Sequence, residues 1–184
     1  MDESIIPSGI QDKLYLNLVL SKQAYPALSA GKERRSIMSI EVRILQPEDA
    51  SILQNVAPDV FDDPIVPLGV QEFFRSPDHH LAVAIENGMV VGFASAVRYF
   101  HPDKARPELW VNEVGVAPSH QNRGVGKAIM NALLEFARHA GCAEAWVLTE
   151  RNNQPAMGLY KAVGGEEEQE EIVMFTFRLE TGDG

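Results

Sequence analysis

The feature that most constrains the fold is a glycine-containing turn between a β-rich run and an amphipathic helix. Residues 109–116 are rich in β-forming side chains, and Pro118 ends that run. Apolar side chains then recur at helical spacing, namely Val125, Ile129, Leu133, Phe136, Ala137 and Ala140. Gly141 is a typical residue for the end of that helix. A strand, a tight turn and a helix in succession predict a sheet with helices packed on it.

Period-two patterns predict further strands on both sides of this unit. The dipeptide Asn87-Gly88 favours the positive φ angles of a tight hairpin turn, so the β-rich runs that flank it should pair antiparallel. The predicted strands cover residues 40–44, 81–85, 89–99, 109–116, 145–149 and 172–179. The predicted helices cover about residues 47–57, 70–75, 125–140 and 155–163. The expected class is α/β (α+β), with a mixed, mostly antiparallel central sheet flanked by helices.

The 184 residues suit one globular domain, which we place at residues 39–184. Residues 1–38 lack sustained periodicity and are rich in turn formers, so we expect an N-terminal extension that is flexible or a leader. The alternative is an ordered arm on a partner subunit, because residues 14–20 contain several apolar side chains. The sequence leaves both open.

Charge and cysteine content restrict the compartment and the partners. The formal net charge of −10 argues against nucleic acid as the main partner. Cys142 is the only cysteine and cannot form an internal disulfide, so the cytoplasm is the expected compartment. No apolar run reaches the ~18 residues that a membrane span needs. The histidines form no convincing cluster, so we expect no metal site.

The glycine turn also has the chemistry of an anion site. The first N–H groups of a helix lack intrahelical partners and favour phosphate oxygens. Gly124 and Gly126 let an anion approach the backbone closely, while Arg123 and Lys127 add positive charge. A glycine turn without a ligand is equally consistent with these residues alone. The nucleoside-triphosphate motif is absent, and Ile129 replaces the third glycine of the dinucleotide motif.

The string VGVAPSHQNRGVGKAIM resembles the acetyl-CoA-binding motif of the GNAT superfamily of N-acetyltransferases, Gln/Arg-x-x-Gly-x-Gly/Ala after a strand that ends in Val-x-Pro. A second string, TERNNQPAMGLYKAVGG, looks like the superfamily's Asn-x-x-Ala-x-x-Leu-Tyr-x-x-x-Gly element. With the order of the predicted elements, the resemblance covers about residues 40–179. Within the superfamily, WVNEVGV and IVMFTF look similar to the aminoglycoside 3-N-acetyltransferase branch.

This resemblance implies a site for acetyl-CoA as co-substrate. The strand that ends at Val116 would diverge from the strand beginning at Ala145, and the backbone of Val114 and Val116 would bind pantetheine in the cleft. The amide near Val114 would polarise the thioester carbonyl. The residues that the resemblance assigns to cofactor binding are Val114, Gly115, Val116, Gln121, Asn122, Arg123, Gly124, Val125, Gly126, Lys127, Asn153 and Tyr160.

The same resemblance implies two catalytic residues. Glu113 would be the general base that takes a proton from the amine, directly or through water. Strict alternation places it on the opposite sheet face from Asn112 and Val114. Tyr160 would protonate the departing thiolate, because the pKa of a phenol lies close to that of an alkyl thiol. A strand carboxylate exposed to solvent and a core aromatic are the alternatives. Cys142 is better explained by packing than by a covalent acetyl-enzyme, since no base is paired with it.

The acceptor is inferred from acidic segments. Asp59, Asp62 and Asp63 lie where the superfamily builds its acceptor side, and residues 166–171 are a run rich in glutamate. Both could attract a cationic amine such as an aminoglycoside or polyamine. We therefore expect transfer of acetyl to a primary amine in a ternary complex, with a peptide amine acceptor and a sensor without turnover as alternatives. The sequence leaves a homodimer open. We expect neither nucleic acid nor a membrane as a partner.

Overall fold

The computed structural model describes residues 40–168 and 172–179. Five strands form one sheet in chain order, namely β1 Glu41–Ile44, β2 His79–Glu86, β3 Met89–Tyr99, β4 Glu108–Val116 and β5 Ala145–Val147. The pairs from β1 to β4 are antiparallel, whereas β5 runs parallel to β4. The predicted mixed, mostly antiparallel sheet is therefore confirmed.

The helices begin where proline or glycine fixes the chain. A 3-10 helix covers Pro47–Gln54, α1 covers Pro67–Arg75, a short 3-10 helix covers Pro118–His120, α2 covers Val125–His139 and α3 covers Gln154–Ala162. Proline at the first helical positions suits its fixed φ angle and missing N–H group. The first helix is shorter than the predicted 47–57 and is 3-10 rather than α, so that prediction was only partly right.

The hairpin between β2 and β3 forms as predicted. Asn87 and Gly88 adopt φ angles of 53° and 76°, which a two-residue turn of this hand requires. The pairing of β3 with β4 contains an irregularity that the sequence did not predict. Ser95 pairs with Glu113 and Ala96 with Val111, so that Asn112 is an extra residue, a β-bulge.

Helix α2 packs on one face of the sheet and forms the centre of the core. Its buried residues are Val125, Ile129, Met130, Leu133 and Ala137. The fully buried strand residues include Val83, Phe93, Leu109 and Val111. Gly92 allows the closest approach, because a Cβ atom there would lie 3.0 Å from the Ile129 Cδ1 atom. The apolar stripe predicted for residues 125–140 is thus the face that meets the sheet.

Two strand predictions at the C-terminal end were wrong in part or entirely. β5 stops at Val147 instead of residue 149. Residues 172–179 are not a strand, and their large apolar side chains are exposed: Ile172, Val173, Met174, Phe175, Phe177 and Leu179. An apolar pattern favours a strand only where a ladder partner exists, and these residues pair with none of the five described strands.

The predicted N-terminal extension, residues 1–38, lies outside the described residues, so the domain boundary at residue 39 stays a prediction. Part of the glutamate-rich run, residues 169–171, also lies outside them. Among the helices of residues 40–168, none is long and apolar enough to cross a membrane.

Candidate active site

The pairing of β4 with β5 covers only the first part of β4. The two strands pair only at Leu109 with Ala145, Trp110 with Trp146 and Val111 with Val147. β4 continues to Val116, while β5 ends at Val147. The second half of β4 therefore extends past the end of its parallel neighbour, which is the separation expected for a pantetheine cleft.

The backbone direction of β4 fits a ligand in this cleft. Ala117 donates its N–H group to the Val91 carbonyl, so the backbone groups of Ala117 point toward β3. Because hydrogen-bonding direction alternates along a strand, those of Val114 and Val116 point to the other side, into the cleft. The Gln121 side chain already donates to the Val116 carbonyl at 3.1 Å. Gln121 thus ties the end of β4 to the loop that follows it.

The loop between β4 and α2 has the conformation of an anion-binding turn. Asn122 and Gly124 have positive φ angles of 58° and 80°. Gly124 is the N-cap of α2 and, having no side chain, makes no capping hydrogen bond. A Cβ atom on Gly124 would meet no atom within 4 Å, so the space above the helix N-terminus is open. Residues 121–124 are exposed, whereas the Val125 side chain is buried and offers only its N–H group. These features fit the pyrophosphate of acetyl-CoA.

Gly126 brings the second sequence motif beside the first. A Cβ atom there would lie 3.3 Å from Leu159 Cδ2 and 3.7 Å from Val116 Cγ2. Helix α3 therefore packs where β4 ends and α2 begins. Asn153 is the N-cap of α3, and its Oδ1 atom accepts from the Ala156 N–H group at 3.2 Å. A cofactor contact through the Nδ2 atom of Asn153 would leave this cap in place.

Arg123, which the resemblance assigns to the pyrophosphate site, also contacts a carboxylate outside the loop. Its Nη2 atom lies 3.1 Å from Glu86 Oε1, at the end of β2. The guanidinium is thus already paired with a carboxylate of the neighbouring hairpin. Lys127 is exposed at the start of α2.

Glu113 lies on the sheet face opposite α2, and the bulge at Asn112 brings Trp110 to the same face. Cross-strand partners share a face, so Glu113 lies with Ser95, and Trp110 with Val97. Without the bulge, Glu113 and Trp110 would point to opposite faces, since they are three residues apart. Glu113 and Val114 face opposite sides, as alternation predicts.

An acidic loop covers this face beside Glu113. Phe61 stacks on Phe93 with ring centroids 3.8 Å apart. The 3-10 helix and the loop after it line a pocket of about 420 Å³ between Leu53 and Ile65, and this lining includes Asp59, Asp62 and Asp63. The pocket is the candidate acceptor side.

The electrostatics of Glu113 suit a general base. Glu113 is exposed, but partial desolvation of its carboxylate still raises its pKa, and the negative charge of Asp62 raises it further. Burial likewise raises the pKa of Tyr160, so the phenol stays protonated and able to donate near neutral pH. Amine acetylation needs one group that accepts a proton from the amine and a protonated group that donates one to the thiolate. The pKa directions of these two residues suit those roles.

Two side-chain contacts near the site were not predicted from the sequence. Glu86 and His120 form a buried hydrogen-bonded pair beside the loop, with Oε2 and Nε2 2.9 Å apart. Nothing in the local sequence links two residues 34 positions apart. Trp110 and Trp146 stack with centroids 5.5 Å apart, and they are cross-strand partners in the pairing of β4 with β5. The sequence signal for this contact is that each tryptophan is the second residue of its predicted strand.

The comparison with known proteins decides the family. The model of the acetyltransferase (GNAT) family matches residues 47–164. The chain belongs to that family. Both glycine and tyrosine motifs lie within the matched range, which confirms the resemblance drawn from residues 40–179.

This GNAT chain is similar to several curated N-acetyltransferases. It is 36% identical over 106 residues to N-alpha-acetyltransferase RimI of Mycobacterium tuberculosis, which covers 57% of this chain and 63% of that protein. It is 32% identical over 78 residues to streptothricin acetyltransferase of Streptomyces lavendulae, covering 42% of this chain and 39% of that protein. The chain therefore spans less than two thirds of the length of these relatives.

Solved structures share the GNAT fold. An aminoglycoside acetyltransferase, meta-AAC0020 from an uncultured soil metagenomic sample, superposes with a TM-score of 0.68 at 18% identity, covering 77% of this chain and 97% of that one. Aminoglycoside N-acetyltransferase AAC(6')-Iy in complex with CoA gives 0.60 at 22% identity, covering 77% and 96%. At these identities the likeness establishes the fold.

Two other chemistries find no support in the described residues. Residues 40–168 and 172–179 contain no group of three or more His, Cys, Asp and Glu side chains that could hold a metal ion. Burial raises the pKa of Cys142, which disfavours the reactive thiolate.

Proposed function

We propose that the protein transfers the acetyl group of acetyl-CoA to a primary amine of a cationic small molecule, by direct attack in a ternary complex. One observation carries the proposal. The part of β4 that extends past β5 leads into an open glycine turn and carries, at residue 113, a carboxylate with a raised pKa on the face of the acidic pocket.

The chain's own residues would hold the co-substrate along β4. The N–H groups at the start of α2 would bind the pyrophosphate, and the inward backbone of Val114 and Val116 would bind pantetheine as a strand would. Acetyl-CoA supplies the activated acetyl group. Val114 N–H would donate to the carbonyl oxygen that becomes negative during attack.

Glu113 and Tyr160 would move the two protons of the reaction. An amine must lose a proton to attack, and Glu113 would accept it, directly or through water. Tyr160, protonated because of its raised pKa, would donate to the sulfur as the bond to the acetyl group breaks. After the reaction, Glu113 has gained one proton and Tyr160 has lost one, and exchange with solvent restores both groups.

Charge supports a cationic acceptor. Asp59, Asp62 and Asp63 line the pocket on the Glu113 face, and the whole chain carries a formal charge of −10. Similarity to aminoglycoside and streptothricin acetyltransferases, whose names specify cationic small molecules, points the same way. The likeness to RimI favours a second candidate, the α-amine of a protein.

The test is a thiol-release assay with acetyl-CoA and a panel of aminoglycosides, polyamines, peptides and acidic amino acids. We expect the highest catalytic efficiency with a polycationic small molecule. That efficiency should fall as ionic strength rises, because many exposed carboxylates each contribute only ~0.2–1 kcal/mol and are screened by salt. A preference for peptide amines would support the second candidate. Acetyl-CoA binding without CoA release for any amine would show a sensor without turnover.

A further inference from the structure

We infer that Glu86 is a positioning residue that holds the pyrophosphate loop in its binding conformation through His120 and Arg123. The inference rests on the proposed function, because it concerns the loop that would bind the pyrophosphate. It gives a positioning role to a hairpin that neither sequence motif includes. Glu86 is the last residue of β2, next to the Asn87-Gly88 turn, and only 8% of it is exposed.

Both oxygens of the Glu86 carboxylate are used, one for each partner in the loop region. His120 Nε2 lies 2.9 Å from Oε2, and Arg123 Nη2 lies 3.1 Å from Oε1. Hydrogen bonds from His120 and then Arg123 lower the pKa of Glu86, although burial acts in the opposite direction. The carboxylate is therefore ionised at neutral pH and accepts from both side chains.

The hydrogen-bonding roles of the two His120 ring nitrogens follow from their neighbours. An ionised carboxylate can only accept, so Nε2 of His120 must carry a hydrogen. Its Nδ1 atom lies 2.8 Å from the Ser119 hydroxyl, which can donate to it. The buried imidazole thus has a partner at each nitrogen, which fixes the orientation of its ring.

The two contacts lie on either side of the loop position whose φ angle is unfavourable for a residue with a side chain. Between the anchored residues 120 and 123 lies Asn122, whose φ of 58° is uncommon outside glycine. Gly124, with a φ of 80°, follows immediately. A non-glycine residue in this region persists where its surroundings hold it. The Glu86 carboxylate supplies that support, so the loop's N–H groups are already aligned before a phosphate arrives.

The arrangement also explains why Arg123 is paired before any phosphate binds. Arginine has five N–H donors in a rigid fork, and the contact with Glu86 uses Nη2. The guanidinium remains half-exposed, so donors other than Nη2 are accessible to a ligand. Glu86 thus restricts the orientation of a cation that would otherwise move freely in solvent.

The experiment compares two acetyl donors in Glu86→Gln. Acetyl-CoA carries the pyrophosphate, whereas S-acetylpantetheine presents the same thioester without it. We expect Glu86→Gln to raise KM for acetyl-CoA about tenfold or more, because it weakens charge-assisted hydrogen bonds. The kcat with acetyl-CoA and the kcat/KM with S-acetylpantetheine should each stay within about twofold.

Glu108→Gln is the matched control. Glu108 is also a buried glutamate at a strand end with two partners, Tyr99 and Lys104, but it lies outside the loop. It should lower thermal stability without changing KM for acetyl-CoA. Equal losses with both donors in Glu86→Gln, or an unchanged KM for acetyl-CoA, would overturn the inference.

A second variant covers a Glu86→Gln protein that does not fold. His120→Phe removes both hydrogen bonds of the ring at similar volume, whereas His120→Gln keeps a donor for Glu86, so we expect the first to weaken CoA binding more than the second. Calorimetric titration with CoA gives this readout without any acceptor. If wild type does not bind CoA, the proposed function fails. If wild type binds CoA and both His120 variants bind it equally well, only the inference fails.

Discussion

Gly115 and Val60 are in such close contact that a Cβ atom on Gly115 would lie 2.2 Å from the Val60 carbonyl oxygen. The same Cβ atom would lie 2.6 Å from Cε1 of Phe93, the ring on which Phe61 stacks. Glycine at position 115 therefore lets the acidic loop lie directly on β4, two residues from Glu113. The loop's backbone cannot yield as a flexible side chain would.

The first prediction is that Gly115→Ala pushes the acidic loop away from β4. We expect a clear loss of stability, on the order of 1–3 kcal/mol for overpacking, and a fall in kcat/KM for the amine. The measurements are denaturant unfolding and steady-state kinetics. Gly158→Ala is the control, since a Cβ atom there meets nothing within 4 Å and alanine favours the helix. Equal stability of Gly115→Ala and wild type would contradict the close contact.

The second prediction concerns Glu113 as the general base. Glu113→Gln should lower turnover by roughly 10²- to 10⁴-fold near neutral pH while leaving acetyl-CoA affinity nearly unchanged. The acidic limb of the pH–rate profile should disappear as well. A profile like that of wild type would assign the base to another residue or to water.

The third prediction uses the cause of the raised Glu113 pKa. Asp62 raises this pKa by its negative charge, so Asp62→Asn should lower it and move the acidic limb toward lower pH. Asp63→Asn is the matched control, because Asp62 is the carboxylate that raises the pKa of Glu113. The pH dependence of kcat/KM for the amine gives the comparison. Identical shifts in both variants would mean that the effect is a general one of loop charge.

The fourth prediction tests the glycine turn. Gly124→Asp should abolish acetyl-CoA binding, because a carboxylate would face the pyrophosphate and the φ of 80° would be strained. Gly141→Asp is matched, with a φ of 74° and equally open surroundings at the other end of α2. It should lose similar stability and keep CoA binding by calorimetry. Unchanged affinity in Gly124→Asp would remove the cofactor assignment.

The fifth prediction concerns Tyr160. Burial raises its pKa above the ordinary value of 10.0, so the phenol donates throughout the neutral range. Tyr160→Phe should lower kcat by roughly 10²-fold, with little change in KM for acetyl-CoA. In wild type, any alkaline limb due to this group should lie above pH 10. A kcat like that of wild type would leave Tyr160 as a packing residue.

The sequence by itself determined the features that depend on local spacing. The Asn87-Gly88 hairpin, the helix with its apolar stripe at residues 125–140 and the turn at Gly124 all follow from backbone preferences and periodicity within a few residues. The family followed as well, because its two motifs are short and fixed in spacing. Such signals need no knowledge of which segments meet in space.

Tertiary structure decided what depends on partners distant in sequence. The bulge at Asn112 exists only in the pairing of β4 with β3, and it brings Trp110 and Glu113 to the same face of the sheet. Residues 172–179 look like a strand but have no ladder partner among the described strands. The pairing of Arg123 with Glu86 joins residues 37 positions apart. Strand register, pairing and buried charge contacts are set by packing between elements, which local patterns do not encode.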